Sequence, residues 1–121
     1  MDMRNQEQRW IKKIKKSGNE EAANALIEKY YREMFAFVYK QTVDYELSLD
    51  LTQEIFISVL RSIANFDYKK ASFRTWLYRV ASNRVVDYFR SKHYQLAKYS
   101  DPLEDYEFTE PQDIAISLEY K

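Results

Sequence analysis

Thr75, Arg79, Asn83 and Asp87 recur every four residues, and Arg90 follows three later. On a helix that spacing makes one continuous polar stripe. Arg79 and Arg90 can meet phosphates, contacts that fix position without reading sequence. Asn83 carries both a donor and an acceptor, the combination needed to read a base edge. Asp87 is the one acid in residues 69–92, against Lys69, Lys70, Arg74, Arg79, Arg84, Arg90 and Lys92, a net of +6. Its plainest role is an ion pair with Arg84 or Arg90 at a spacing of three. Ahead of the stripe, the short connection 65–71 holds Phe66 and Tyr68 beside Lys69 and Lys70, and Trp76 follows. Aromatic rings next to cations hold unpaired bases by stacking. The competing roles are ordinary ones: a Phe folded back onto the core and a Trp packed in the first turn of a helix.

A second set lies upstream. Asp50, Gln53 and Glu54 share one helix face, continued by Ile57 and Arg61. An Ile among acids and amides suits a protein contact, and a solvated helix face is the alternative. No catalytic constellation accompanies these sets. One glycine in the chain leaves no phosphate-cradling loop. His93 is the single histidine, and a lone His near a helix end reads as surface. Glu20 and Glu21 read as first-turn helix charges, and Asp50 with Glu54 has no nucleophile or base beside it. Neither enzymatic activity nor a cofactor or metal is expected.

The elements that position these residues follow from composition and period. With 121 residues, 45% hydrophobic, the chain is long enough for one domain. One Gly and two Pro argue against a turn-rich all-β fold. The absence of Cys excludes a disulfide framework and thiolate zinc sites. No apolar run reaches the ~20 residues of a membrane span and no secretory signal opens the chain, so a soluble cytoplasmic domain without membrane insertion is expected. The apolar content is rich in aromatics, with 11 Tyr, 7 Phe and 2 Trp.

Periodicity predicts an all-α fold, a compact bundle of about four helices. The first runs from Asn5 to Lys16, with Trp10 and Ile14 on one face and Gly18 as its stop. The second runs from Glu20 to about Thr42 behind Asn19 as N-cap. The third runs from about Leu49 to Ala64 with Ser48 as cap. The fourth runs from Phe73 to about Lys92, capped by Ser72, with Phe73, Leu77, Val80, Ala81 and Val85 facing inward. Charge divides the chain after Tyr94. Residues 1–94 carry 17 Lys and Arg against 12 Asp and Glu, a net of +5, and residues 95–121 carry 2 against 7, a net of −5. The expected organisation is a helical domain over 1–94 and an acidic linker over 95–121, a balance in which the acids could also fold back and mask the basic stripe.

The stretch Asp50-Leu51-Thr52-Gln53-Glu54-Ile55-Phe56, then Phe73-Arg74-Thr75-Trp76-Leu77-Tyr78-Arg79-Val80-Ala81-Ser82-Asn83, then Asp87-Tyr88-Phe89-Arg90, resembles region 2 of bacterial sigma factors, closest to the extracytoplasmic-function group. The resemblance covers about Glu20 to Tyr94. It implies a helical domain that docks on the clamp helices of the RNA polymerase beta-prime subunit and recognises and melts the −10 promoter element. By the same resemblance Asp50, Gln53 and Glu54, with Ile57 beside them, make the polymerase contact. The loop from Phe66 with Tyr68, Lys69 and Lys70, and then Arg74, Trp76, Arg79, Asn83, Asp87 and Arg90, receives bases of the non-template strand. An anti-sigma protein is a further implied partner. Where the family often has more acids, this chain reads Leu47-Ser48-Leu49. Family members also carry a region 4 that reads the −35 element, and Glu110-Pro111-Gln112-Asp113 resembles the approach to it. No −35 recognition is expected of these 121 residues. The competing function is a helical adaptor that binds polymerase or an anti-sigma protein without reading DNA.

Overall fold

A computed structural model describes residues 3–99. It contains α1 (Met3–Ser17), α2 (Glu20–Thr42), α3 (Tyr45–Ser62), a single 3-10 turn (Ile63–Asn65) and α4 (Phe73–Tyr99). Among the described residues every regular element is helical. The acidic stretch expected to form the linker lies outside them from residue 100 onward, while α4 itself continues past Tyr94 to Tyr99.

Helix boundaries follow local chemistry. Gly18 takes φ +64 after α1, and its N–H donates to the Ile14 carbonyl at 2.8 Å. This left-handed stop is one that glycine adopts without a Cβ penalty. Asn19 then accepts from the Ala22 N–H at 2.8 Å and starts α2, an N-cap worth about 1 kcal/mol. The end of α2 uses the same left-handed stop without glycine. Val43 sits at φ 52, with its N–H on the Tyr39 carbonyl at 2.8 Å. A β-branched residue there is strained.

The start of α3 corrects the sequence reading. Asp44, not Ser48, is its cap, accepting from the Leu47 N–H at 3.0 Å. Ser48 is fully buried one turn inside. Its hydroxyl donates back to the Asp44 carbonyl at 2.7 Å and pairs with the Thr42 hydroxyl at 2.8 Å. A serine so satisfied is tolerated within a helix. The α-helix closes at Ser62, and Ile63–Asn65 tightens into the 3-10 turn. Ser72 does cap α4, accepting from the Thr75 N–H at 3.2 Å.

The helix α2 is the hub, packed against α1, α3 and α4. The core joins Ile11 and Ile14, Leu26, Met34 and Val38, Leu51, Ile55 and Val59, and Phe73, Leu77, Ala81 and Val85. Each large aliphatic side chain removed from water contributes roughly 1.5–3 kcal/mol. Aromatic pairs mark the seams. Tyr31 stacks on Phe56 at 6.1 Å between α2 and α3, and Phe37 meets the edge of Tyr78 at 5.2 Å between α2 and α4. Val80, expected inside, is half-buried at the rim of this core, as is Trp10.

Candidate functional site

The connection from α3 to α4 is irregular backbone that side chains pin in place. Phe66 donates its N–H to Ile63 at 3.0 Å, closing the 3-10 turn, and its ring turns inward to 2% exposure. There it meets Tyr68 at 4.7 Å, Trp76 at 5.3 Å and Phe73 at 5.5 Å. Phe66 is therefore the floor of the loop and not an open stacking platform. Trp76, half-buried in the same cluster, backs the loop from α4. The Asp67 carboxylate accepts from the Lys69 N–H at 2.9 Å, and the Asp67 carbonyl from the Lys70 N–H at 3.0 Å. An Asp side chain bonded two residues on sets a turn. That turn leaves the side chains of Lys69 and Lys70 exposed.

Two groups from α1 tie the loop down. The Lys15 ammonium donates to the Phe66 carbonyl and stands 5.7 Å from the centre of its ring. Glu7, only 6% exposed, accepts from the Lys29 ammonium at 2.9 Å, the Tyr30 hydroxyl at 2.5 Å and the Tyr68 hydroxyl at 3.3 Å. A buried carboxylate needs such partners. Burial first, and then the hydrogen bond to Glu7 together with its charge, push the hydroxyls of Tyr30 and Tyr68 well above the ordinary tyrosine range. Both stay neutral donors at physiological pH.

Along α4 the stripe stands as its spacing predicts. Thr75, Arg79, Asn83, Asp87 and Arg90 are all exposed, opposite the buried line Phe73, Leu77, Ala81 and Val85. Arg74 is exposed but engaged: it pairs with Glu33 of α2 and lies 5.7 Å from the centre of the Tyr78 ring. The Tyr78 hydroxyl donates to the same Glu33 at 2.6 Å.

The α3 face lies elsewhere. Asp50 and Gln53 are exposed, and Ile57 stands 48% exposed among them. Glu54 is half-exposed and accepts from the Arg84 guanidinium at 2.5 Å. That bridge crosses a groove of about 410 Å³ between α3 and α4, whose polar lining is Asp50, Glu54, Arg84, Asp87 and Ser91. The groove thus holds three carboxylates around one arginine, whereas the loop is ringed by lysines. Arg84 pairs with Glu54 across the groove, not with Asp87 along its own helix.

The family model for sigma-70 region 2 matches residues 26–94, from α2 through the loop and the stripe. The chain belongs to the sigma-70 region 2 family. This region 2 domain is 35% identical over 60 residues to a probable RNA polymerase sigma factor of Haemophilus influenzae, covering 50% of the chain and 30% of the relative. It is 33% identical over 82 residues to the ECF RNA polymerase sigma factor SigW of Bacillus subtilis, covering 68% and 43%. It is 29% identical over 105 residues to the RNA polymerase sigma-H factor of Pseudomonas aeruginosa, covering 87% and 53%. The chain therefore spans about a third to a half of the length of these relatives.

Within the region 2 domain, the residues singled out from sequence fall into two groups. Tyr68, Lys69, Lys70 and Trp76 gather at the loop, with Arg79, Asn83, Asp87 and Arg90 running from it along α4. Asp50, Gln53 and Ile57 lie on α3, where Asp50 shares the α3–α4 groove with Asp87 of the stripe. Sequence reasoning missed Glu7, Lys15, Glu33 and the pairing of Arg84. A signal existed for Glu7. It precedes Ile11 by four residues and Ile14 by seven, a lone acid on the buried face of α1. The long-range pairs of Arg74 and Arg84 leave no such trace in local spacing.

Proposed function

We propose that this domain serves an RNA polymerase sigma factor: it docks on the clamp helices of the beta-prime subunit through Asp50, Gln53, Glu54 and Ile57, and recognises and melts the −10 promoter element by capturing bases of the non-template strand. The observation that carries the reading is the presence of two exposed surfaces of different chemistry on one bundle, which meet at the α3–α4 groove. The face of α3 offers amide, acid and an exposed Ile. The loop and the α4 stripe offer lysines, arginines and the exposed amide of Asn83. Extruding a base costs a few kcal/mol of stacking and pairing. An amide that bonds the base edge, with cations on the flanking phosphates, offsets that cost. The chemistry of transcription belongs to the polymerase, and an anti-sigma protein would compete for the same surfaces.

The test uses core polymerase, the full chain and promoter duplexes carrying a fluorescent adenine analogue across the −10 element. Wild-type protein should raise the fluorescence as bases unstack. Asn83→Ala should lower the preference for the best sequence by about tenfold, the ~1–3 kcal/mol of a lost base contact, while still binding core. Equal fluorescence from wild type and Asn83→Ala on every sequence would contradict base capture at this position. The adaptor reading draws on the engagement of Arg74 and Arg84 by Glu33 and Glu54. It predicts core binding with no fluorescence change at all.

A further inference from the structure

The corner at which α2 turns into α3 is apolar and open. Tyr39, Val43 and Tyr45 stand 40%, 68% and 63% exposed there. The half-buried Phe35 ring joins them, stacked on Tyr39 at 6.0 Å and edge-on to Tyr45 at 5.6 Å. Exposed apolar side chains gathered in this way mark an interaction site. The corner is distinct from the outer face of α3, because Ile57 lies about 18 Å along the helix from Tyr45. We propose that residues 114–120 of this same chain dock on the corner.

Val43 is the first sign of an outside contact. It sits at φ 52, a conformation glycine would take without strain, and its side chain stands out in solvent. The strain supports no contact within the bundle, and a side chain that must be presented outward accounts for it. Chain direction supplies the occupant. Glu54 pairs with Arg84, and the groove they cross extends to Leu47 near the start of α3 and to Ser91 on α4. The two helices are therefore antiparallel. From Ser91 to Tyr99, α4 runs about 12 Å further, past the corner. Leu96 on this projecting part is 47% exposed. The chain thus leaves the described residues at the corner's own end of the bundle. Residues 100–113 span up to ~46 Å at full extension, against a return on the order of 20 Å. Behind them come Ile114, Ile116, Leu118 and Tyr120, the densest apolar run after Tyr99. Edge charges match as well. Exposed Lys40 and Glu46 flank the corner, and Asp113 and Lys121 bracket the run. A tethered segment meets its site at an effective concentration in the millimolar range, so a modest apolar contact suffices to hold it. Docked there, the segment lies at the end of the bundle away from the loop and leaves Lys69, Lys70 and the α4 stripe open.

The inference stands independently of the proposed function, and its test uses neither polymerase nor DNA. The chain has no cysteine, so two introduced thiols report on one pair. Ala36→Cys puts one on the exposed side of α2 beside Phe35 and Tyr39, and Ser117→Cys puts the other within the apolar run. Disulfide exchange of the full chain in a glutathione buffer then gives the effective concentration of one thiol at the other. Added to this pair, Leu118→Ser should lower that concentration about fivefold, and Val43→Gly should do the same. Val43→Gly relieves the backbone, so its effect is not a loss of fold. A second pair, Arg79→Cys with Ser117→Cys, probes the α4 stripe and should not fall when Leu118→Ser is added. An effective concentration for the Ala36 pair that neither substitution changes overturns the docking. So does a higher value for the Arg79 pair than for the Ala36 pair, which would put the acidic stretch on the stripe. A disulfide that forms mainly between two molecules overturns it too, because the corner would then belong to a second copy of the chain.

Discussion

The loop between α3 and α4 and the outer face of α3 are held by different means. On α3 the helix itself sets the positions of Asp50, Gln53 and Ile57, because residues three and four apart share a face whatever lies beneath them. The loop has no ladder of backbone bonds to define it. Its shape depends on a buried Phe66 ring, on the Tyr68 hydroxyl reaching Glu7, and on Lys15 at the Phe66 carbonyl. A helical surface can therefore lose a side chain and keep its geometry, whereas the loop loses its geometry with its anchors. The ordering of such a loop is supported by contacts elsewhere, and here the supports lie in α1 and α2.

The sharpest way to break that contrast is to remove the floor. Phe66→Ala should cost about 3–5 kcal/mol in urea unfolding, the usual loss for a buried Phe, and Gln53→Ala should stay within ~0.5 kcal/mol of wild type. Equal small losses would mean the loop is not anchored through the core. Glu7→Gln comes next. It removes the charge from Lys29 and weakens the bonds from Tyr30 and Tyr68, so about 2 kcal/mol of stability should go. Hydrogen exchange at the Lys69 and Lys70 amides should rise, with that of the middle of α3 following only the global loss.

Alkali should act on the loop side as well. Tyr30 and Tyr68 ionise at higher pH in the folded protein than in the unfolded chain. Their contribution is fully present below the ordinary tyrosine value of about 10 and declines as pH rises above it, because the unfolded state then releases protons first. Urea midpoints of wild type should fall above about pH 10, and those of Tyr30→Phe with Tyr68→Phe should fall less steeply. Parallel curves would show that neither hydroxyl is held neutral by the fold. The smallest effect belongs to the α2–α3 turn. Val43→Gly should raise stability by about 1 kcal/mol by relieving a left-handed β-branched residue, without touching either surface.

The same contrast explains what the sequence made legible. The bounds of α2 and the exposed face of α4 follow from sequence because their information is local: Asn19 as cap, the four-residue spacing of Leu26, Tyr30, Met34 and Val38, and that of Thr75 to Asp87. The start of α3 was misplaced by one turn because Ser48 and Asp44 are both good caps, and the choice is made by Thr42, whose hydroxyl satisfies Ser48 inside the helix. The place of Phe66 was open between stacking platform and core, and packing against Tyr68, Phe73 and Trp76 decides it. The anchors Glu7 and Lys15 meet the loop across more than fifty residues of sequence, a relation no periodicity carries.

The most direct test of the account is binding of the full chain to an isolated beta-prime clamp-helix fragment, followed by calorimetry or anisotropy, for wild type and for Gln53→Ala with Ile57→Ala. Both side chains are exposed and neither supports the fold. The account predicts that wild type binds and that the double variant, still folded by circular dichroism, binds at least tenfold more weakly, as expected when about 1–2 kcal/mol of central contact is removed. A folded wild type that does not bind the fragment, or a double variant that binds it equally well, would contradict the assignment of the α3 face to the polymerase.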